Sequence, residues 1–295
     1  MPGVAMNILL AVDSSPDSKH AVQMVKHLAA PVKLSILYVV DVPTLKHAYL
    51  SSECSERDFE GYRQEVARLA QHVLHETRDE LVSSVREIQL IADNGDPAES
   101  IIQTAEEHQA DLILLGHRGM TQSSAFLLGG VSQKVATYAR CSVLVCKGEV
   151  PSLDRVLVAV DGSDASKHAA QFLGQLPFKG RLRLMIEMVW APPPSSLLAS
   201  VAQSPYVAPK TTSAKSKGEA FLREVAEPFQ KGPYEVKFEW KSGDPPQAIL
   251  ESATQHDVQM IVVGARGLKG IKRFLLGSVS QKVLEHAPCS VLIVR

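Results

Sequence analysis

The 295-residue sequence is poor in aromatic residues and cysteine, and it carries no excess of either charge. Aromatic side chains make up 5% of the chain, there are four cysteines, and 31 basic residues nearly balance 32 acidic ones. A net charge of −1 provides no overall field that would attract nucleic acid or an anionic membrane, so neither is expected as a partner. No CxxC pair and no paired histidines have the spacing of a zinc site, and the cysteines are interpreted as reduced thiols.

Long apolar runs and several familiar catalytic motifs are also missing. No stretch approaches the roughly 18 residues of a membrane span, and residues 1–7 lack the charged and apolar regions of a signal peptide. The sequence contains no GxxxxGK(S/T) P-loop, no GxGxxG fingerprint and no recognisable Ser-His-Asp or Cys-His constellation. We therefore expect a cytoplasmic protein that is neither an ordinary P-loop NTPase nor a dinucleotide dehydrogenase.

What the sequence does contain is one pattern written twice. Gly-His-Arg-Gly at 116–119 is followed nine residues later by Gly-Gly-Val-Ser at 129–132, and Gly-Ala-Arg-Gly at 264–267 is followed in the same way by Gly-Ser-Val-Ser at 277–280. Landmarks spread along the chain share a single offset of 148 positions: Asp13 and Asp161, Gly95 and Gly243, Gly116 and Gly264, Cys141 and Cys289. A constant offset at separate anchors predicts two tandem domains, residues 1–150 and 151–295.

Each half alternates between strand-like and helix-like segments. In the first half, short apolar strands are expected at 7–12, 33–40, 87–92, 111–115 and 142–146, with helices at 15–29, 55–84, 97–109 and 130–140. Five short apolar strands separated by helices are typical of a parallel sheet covered on both faces. Because crossovers are right-handed, a doubly wound five-stranded α/β sheet is the simplest topology. If its strand order is 3-2-1-4-5, the winding reverses between strands one and four.

This topology brings the repeated motifs of each half to one place. In an open doubly wound sheet, ligands bind beyond the carboxyl ends of the strands, where the winding reverses. An aspartate ends the first strand, and the glycine loop follows the fourth. Glycine permits positive φ and close backbone approach to an anion, and the helix that follows has unpaired N–H groups at its start. The pattern predicts, in each half, a crevice that suits a bound triphosphate.

Simpler interpretations of the same residues remain open. The segments at 13–15 and 161–163 could merely cap the first helix, and the Gly-Asp-Pro segments at 95–97 and 243–245 are explained by turn geometry alone. The cations Lys269, Lys272 and Arg273 could form a solvated face, although they lie in the stretch expected to pass over the phosphates. The coincidence of aspartate and glycines at one crevice in both halves favours the ligand interpretation.

Taken together, the motifs resemble the universal stress protein family in its tandem two-domain form. The resemblance rests on the aspartate after strand one, Gly-x-Pro after strand three, and Gly-x-x-Gly, nine residues, Gly-Ser-Val-Ser running into Cys-Ser-Val-Leu-Ile-Val. It implies a Rossmann-like (adenine nucleotide alpha hydrolase-like) fold in each half that binds ATP or a related adenine nucleotide, with or without Mg²⁺. The strand-one aspartate and the end of strand two would lie near the adenine and ribose, and the glycine loop would lie on the phosphates.

The resemblance assigns cofactor-binding residues by position and implies no catalytic residue and no defined metal ligand. In the first half they are Asp13, Val39, Gly116, Arg118, Gly119, Gly129, Gly130, Val131 and Ser132. In the second half they are Asp161, Val189, Gly264, Arg266, Gly267, Gly277, Ser278, Val279 and Ser280.

The first half departs from the family pattern at one position. The family has Ser or Thr after the last motif glycine; Ser278 keeps this hydroxyl and Gly130 lacks it. A hydrogen bond to a charged phosphate contributes about 1.5–3 kcal/mol, so the first site is expected to bind roughly 10- to 100-fold more weakly. The first half also has neutral Thr121, Gln122, Ser123 and Ser124 where the second has the basic cluster.

The expected function is that of a cytoplasmic stress-response regulator controlled by ATP occupancy, with at most slow ATP hydrolysis. One alternative is a nucleotide hydrolase or adenylyl-transferring enzyme of the same fold, and another is a tandem structural module without nucleotide. The resemblance further implies that the halves associate through their last strands as a pseudo-dimer, with a homodimer as an open possibility.

Overall fold

A computed structural model describes residues 5–29, 32–42, 44, 56–119, 128–191, 210–267 and 276–295. The segment with Thr121, Gln122, Ser123 and Ser124 and the segment with Lys269, Lys272 and Arg273 lie outside the described residues. The chain divides into two compact units, residues 1–152 with 177–179, and residues 153–176 with 180–295. Within the described residues, no helix combines the length and apolarity needed to cross a membrane.

The first unit contains a five-stranded parallel sheet. Its strands are β1 (Met6–Ala11), β2 (Val32–Asp41), β3 (Glu87–Gly95), β4 (Leu112–Gly116) and β5 (Ser142–Cys146), in the order β3-β2-β1-β4-β5. Its helices are α1 (Pro16–Lys26), α2 (Glu56–Leu81), α3 (Pro97–Glu107) and α4 (Gly130–Tyr138). Helix α1 contacts α2 and helix α3 contacts α4, so each face of the sheet is covered by a pair of helices.

The second unit repeats this arrangement. Its strands are β6 (Arg155–Val160), β7 (Leu182–Trp190), β8 (Tyr234–Ser242), β9 (Met260–Gly264) and β10 (Ser290–Val294), in the parallel order β10-β9-β6-β7-β8. Its helices are α5 (Asp164–Gln175), α6 (Lys210–Ala226), α7 (Pro245–Gln255) and α8 (Ser278–His286), with a 3₁₀ turn at Glu227–Lys231. The predicted fold class is thus confirmed in both units, and both have the strand order under which the crevice was expected.

Helix ends differ from the sequence prediction by a few residues, for a local reason. The helix predicted at 97–109 ends at Glu107, because Gln109 adopts a left-handed conformation with φ 50° that cannot continue a right-handed helix. The equivalent residue in the second unit, Asp257, has φ 47° after the end of α7. Both helices therefore end by the same backbone turn without a glycine, and the following strands β4 and β9 start from equivalent positions.

Candidate functional site

A cavity of about 1190 Å³ opens at the carboxyl ends of the second unit's strands. It lies where the winding reverses, between β6 and β9, which is the position that doubly wound sheets use for ligands. All of the residues predicted for the second-half site line it: Asp161, Val189, Gly264, Arg266, Gly267, Gly277, Ser278, Val279 and Ser280. Further lining residues come from the ends of β6 and β7 and from helices α6 and α7.

Asp161 organises the loop at the floor of this cavity. Its Oδ1 accepts hydrogen bonds from the backbone N–H of Ser163, at 3.0 Å, and from the Ser163 hydroxyl. Ser163 is itself the N-cap of α5, because its Oγ accepts from the N–H of Ser166 at 3.2 Å. A Cβ on Gly267 would collide with Asp161 Oδ2. The capping interpretation is therefore correct for the serine, and the aspartate also lies against the glycine loop.

The glycines of the glycine loops act through close packing, and none of them adopts the positive φ that glycine permits. Positive φ occurs at four glycines of the described residues, Gly148, Gly162, Gly180 and Gly243, none of which belongs to the repeated motif. A Cβ on Gly264 would lie 3.1 Å from the carbonyl oxygen of Ala165, in the first turn of α5. The absent side chain lets this helix approach the end of β9, so the loop can turn sharply into the cavity.

Helix α8 starts at the cavity without a side-chain cap. Gly277 is its N-cap residue and supplies no side-chain oxygen, whereas α5 is capped by Ser163. The Ser280 hydroxyl donates to the carbonyl oxygen of Gly264 at 2.7 Å and so holds the glycine loop onto the helix. Ser278, by contrast, is exposed. The first N–H groups of α8 thus belong to cavity-lining residues and suit an anion.

The pairing of the first and second strands of each unit shows which residues of β2 and β7 are equivalent. Ala11 of β1 pairs with Leu37, and its counterpart in the repeat, Ala159 of β6, pairs with Glu187. Val189 is therefore the counterpart of Val39, as the resemblance implied, although the offset here is 150 instead of 148. A carboxylate consequently stands where the first unit has a buried leucine.

Glu187 is the site residue that the sequence patterns missed. It is fully buried and lines the cavity. Its Oε2 accepts from the Ser252 hydroxyl at 2.6 Å and pairs with Lys241 Nζ at 2.9 Å, while its Oε1 has no hydrogen-bond partner within the part of the chain that the structure describes. Burial alone lowers the pKa of Lys241, but the hydrogen bond and charge of Glu187, with Glu239, outweigh it and raise that pKa. An unsatisfied buried acceptor costs about 1–3 kcal/mol.

An aromatic pair stands on the other face of β7 and β8, which is covered by α6. Trp190 lines the cavity and stacks on Trp240, with ring centroids 6.1 Å apart and planes 22° apart. These are the chain's two tryptophans. A Cβ on Gly218 would lie 2.7 Å from Trp240, so glycine in α6 is what allows this helix to pack on the indole. The rarity of tryptophan was the signal by which this pair could have been found.

The first unit brings its predicted residues together in a similar loop. Asp13 Oδ1 accepts from the N–H of Ser15 at 3.0 Å, and a Cβ on Gly119 would lie 3.0 Å from Asp13 Oδ2. The buried Ser132 hydroxyl donates to the carbonyl of His117 at 2.8 Å. The other predicted residues lie on the same elements: Val39 on β2, Gly116 at the end of β4, Arg118 in the loop, Gly129 at the N-cap of α4, and Gly130 and Val131 in its first turn.

A buried histidine distinguishes the first loop from the second. His117 is 7% exposed, and its Nδ1 lies 3.3 Å from Asp17 Oδ2. Burial is the main cause that lowers the pKa of His117 to about 4; the charge of Asp17 opposes the shift, and the charges of Lys147, Arg118 and His20 contribute to it. In the second unit, alanine stands at the positions equivalent to His117 and Asp17, namely Ala265 and Ala165. The first loop therefore contains a polar contact beneath its glycines that the second lacks.

The fold and the cavity define a class of protein: a doubly wound α/β protein with a ligand-sized cavity at the switch point of its sheet. The sequence matches the Universal stress protein family twice, over residues 5–147 and 152–295. The chain therefore belongs to the universal stress protein family, with two such domains in tandem.

The chain is also similar to individual proteins. A universal stress protein of Mycolicibacterium smegmatis is 27% identical over 301 residues, covering 98% of this chain and 96% of that protein. The crystal structure of a universal stress protein from Archaeoglobus fulgidus matches over 98% of each chain, with 24% identity and a TM-score of 0.67, which shows the same fold. A universal stress protein family structure from Arabidopsis thaliana, which has AMP bound, covers 47% of this chain and 88% of its own, with 19% identity and a TM-score of 0.32.

Proposed function

We propose that this protein binds ATP in the cavity of the second unit and that nucleotide occupancy controls its part in a cytoplasmic stress response. The observation that carries this proposal is the single cavity lined by every residue predicted for the second-half site. Its volume of about 1190 Å³ exceeds the upper end of the usual range for small-molecule sites, about 1,000 Å³, so a nucleoside triphosphate fits.

The chemistry of the walls supports one orientation of the nucleotide. The uncapped start of α8, with Arg266 and the exposed Ser278 hydroxyl, suits the phosphates, because N–H dipoles and a guanidinium both favour anions. Val189 and Trp190 offer apolar and aromatic surface that suits the base. Asp161, at the end of the intervening strand β6, would accept from the ribose or base between them.

We further propose that the second unit is the stronger of the two sites and that residues 1–150 and 151–295 are the functional domains. Ser278 is exposed at the start of α8, whereas Gly130 begins the equivalent helix α4 without a hydroxyl. Any Mg²⁺ would be brought by the triphosphate, since this ion is usually held by phosphates and one or two carboxylates. No cluster of three or more His, Cys, Asp or Glu side chains suited to a metal occurs among the described residues.

Native mass spectrometry of the purified chain tests nucleotide binding directly. We expect a mass increase that corresponds to ATP or another adenine nucleotide, and nucleotide-stripped protein should regain it on incubation with ATP. A stripped, folded chain that takes up no nucleotide would contradict the proposal and favour the structural-module alternative.

The enzyme alternative is tested separately by the rate of turnover. Phosphoryl transfer needs an oriented water and stabilised phosphoryl charge, and Asp161 is already held by Ser163. We expect hydrolysis far slower than the roughly 10 per second of a median enzyme. A rate near that value, lost on Asp161→Asn, would favour the enzyme alternative.

A further inference from the structure

We propose that Lys282 binds the phosphate chain of the nucleotide in the second unit and gives this cavity a preference for a triphosphate over a monophosphate. The inference rests on the proposed function, since it concerns the ligand of the same cavity. Lys282 lies on α8, is exposed and belongs to the lining of the cavity. It belongs neither to the glycine motif nor to the residues that the resemblance assigned.

The geometry of α8 directs this lysine towards the start of the helix. Lys282 follows Ser278 by four residues, so the two residues share a face of the helix, and both line the cavity. Side chains of an α-helix lean towards its N-terminus, so a lysine one turn into α8 extends back over the first turn. Four residues rise about 6 Å, a distance that the four-carbon stem of lysine spans. The ammonium group can therefore reach an anion at the uncapped start of α8.

In the first unit, the equivalent lysine lies beside a carboxylate that is held in place. Lys134 Nζ is 3.6 Å from Oδ2 of Asp96, the N-cap residue of α3. Asp96 Oδ1 accepts hydrogen bonds from the backbone N–H groups of Ala98 and Glu99, at 3.0 and 3.1 Å. These two hydrogen bonds fix the carboxylate at the start of α3, where it partly neutralises the charge of Lys134.

A proline removes this arrangement from the second unit. Pro246 stands at the position equivalent to Ala98 and has no N–H to donate. Asp244, the counterpart of Asp96, makes no side-chain capping hydrogen bond at the start of α7. Within the described part of the chain, the ion pair of Asp96 with Lys134 is not repeated between Asp244 and Lys282. The charge of Lys282 is therefore available to a ligand of the cavity.

A lysine at this place favours the ligand that carries the larger negative charge. Arg266 lines the cavity, and the first N–H groups of α8 suit a single phosphate group. A triphosphate carries about twice the negative charge of a monophosphate, and its attraction to a fixed cation increases with that charge. Lys282 should therefore contribute more to the binding of ATP than to the binding of AMP.

Calorimetric titration of the full-length, nucleotide-stripped protein with ATP and with AMP, without added metal, tests the proposal. At low salt, Lys282→Gln should weaken the binding of ATP at the tightest site about tenfold and the binding of AMP less than about threefold. Lys282→Arg keeps the positive charge and should recover most of the ATP affinity that the glutamine variant loses. Circular dichroism should show that both variants are folded, because the residue is exposed.

The salt dependence separates a contact with phosphate from a structural effect. Raising the salt from about 0.01 M to about 1 M shortens the Debye length from about 30 Å to about 3 Å. The ATP affinities of the unmodified protein and Lys282→Gln should therefore converge to within about twofold. Lys134→Gln is the matched control: it removes the same charge from the equivalent position on α4 and should leave the tightest ATP site unchanged.

The outcomes distinguish this inference from the proposed function. If the unmodified protein binds ATP and Lys282→Gln binds ATP and AMP as tightly as it does, the role of Lys282 is overturned while ATP binding stands. Equal losses for ATP and AMP, or a loss of ATP affinity that persists at high salt, would also overturn it. So would a loss in Lys134→Gln as large as in Lys282→Gln. If the unmodified protein binds no nucleotide, both proposals fail.

Discussion

At the scale of single residues, the two glycine loops differ in a titratable group: the first contains His117, and the second does not. The imidazole lies beneath the first loop beside Asp17, and burial lowers its pKa to about 4. An unfolded histidine titrates near 6.5, so below that pH the unfolded chain takes up a proton that the folded chain resists. This residue therefore destabilises the first unit as the pH falls from about 6.5 to about 4, and its contribution is constant below that range.

We expect His117→Ala, which introduces the alanine of the second unit, to reduce the acid sensitivity of the fold. Between pH 7 and about pH 4.5, the unmodified protein should lose about 2–3 kcal/mol more of its free energy of unfolding than the variant loses. Urea unfolding of both proteins at the two pH values measures this difference. Equal losses in both proteins would show that His117 does not titrate with the lowered pKa.

At the scale of elements, the helices differ in how their first turns are satisfied. Ser15, Asp96 and Ser163 cap α1, α3 and α5 with side-chain oxygens. Helices α4 and α8 start at glycine and have no such cap. Helix α7 also has no side-chain cap hydrogen bond, but its N-cap residue Asp244 is acidic, whereas α4 and α8 start at glycine beside the glycine loops. A carboxylate introduced at the start of α4 or α8 should therefore compete with phosphate.

Val279→Asp should therefore weaken the tightest ATP site at least about tenfold, through repulsion of the phosphates at short range. An aspartate in the first turn of α8 favours the helix itself, so the variant should remain folded. The matched change Val131→Asp places the same carboxylate in the first turn of α4, where Val131 is exposed. Calorimetry that showed the tightest site lost in Val131→Asp and intact in Val279→Asp would reverse the ranking of the two units.

The elements were predictable from the sequence because the signals that specify them are local. Alternation of apolar strands and helical segments was enough for the doubly wound fold class, whereas the strand order was a condition of the prediction. Under that order the repeat placed Asp161 and Gly277 at one crevice. Glu187 was not predictable, because its burial depends on Lys241 and Ser252, which lie far along the chain. A lone glutamate in a strand otherwise indicates an exposed position.

At the scale of the whole molecule, the two-domain organisation predicts self-association of isolated halves. Within its own unit, β5 or β10 is the last strand in the order of the sheet, and both are apolar after a first serine. An apolar edge strand without cover is a site for pairing with another chain. We expect residues 1–150 and 151–295, expressed separately, to form dimers or larger species at micromolar concentration in analytical ultracentrifugation. Monodisperse monomers of both halves would contradict this prediction.

The stacked indoles give the molecule an intrinsic fluorescence signal that comes from the second unit. Trp190 and Trp240 both belong to the second unit, and they are the only tryptophans of the chain. Tryptophan emission during denaturation therefore follows the second unit alone, whereas far-ultraviolet circular dichroism follows the helices of both. Non-coincident transitions by the two probes would mean that the units unfold as separate cooperative bodies. The unmodified protein thus allows its two repeats to be distinguished without the attachment of any dye.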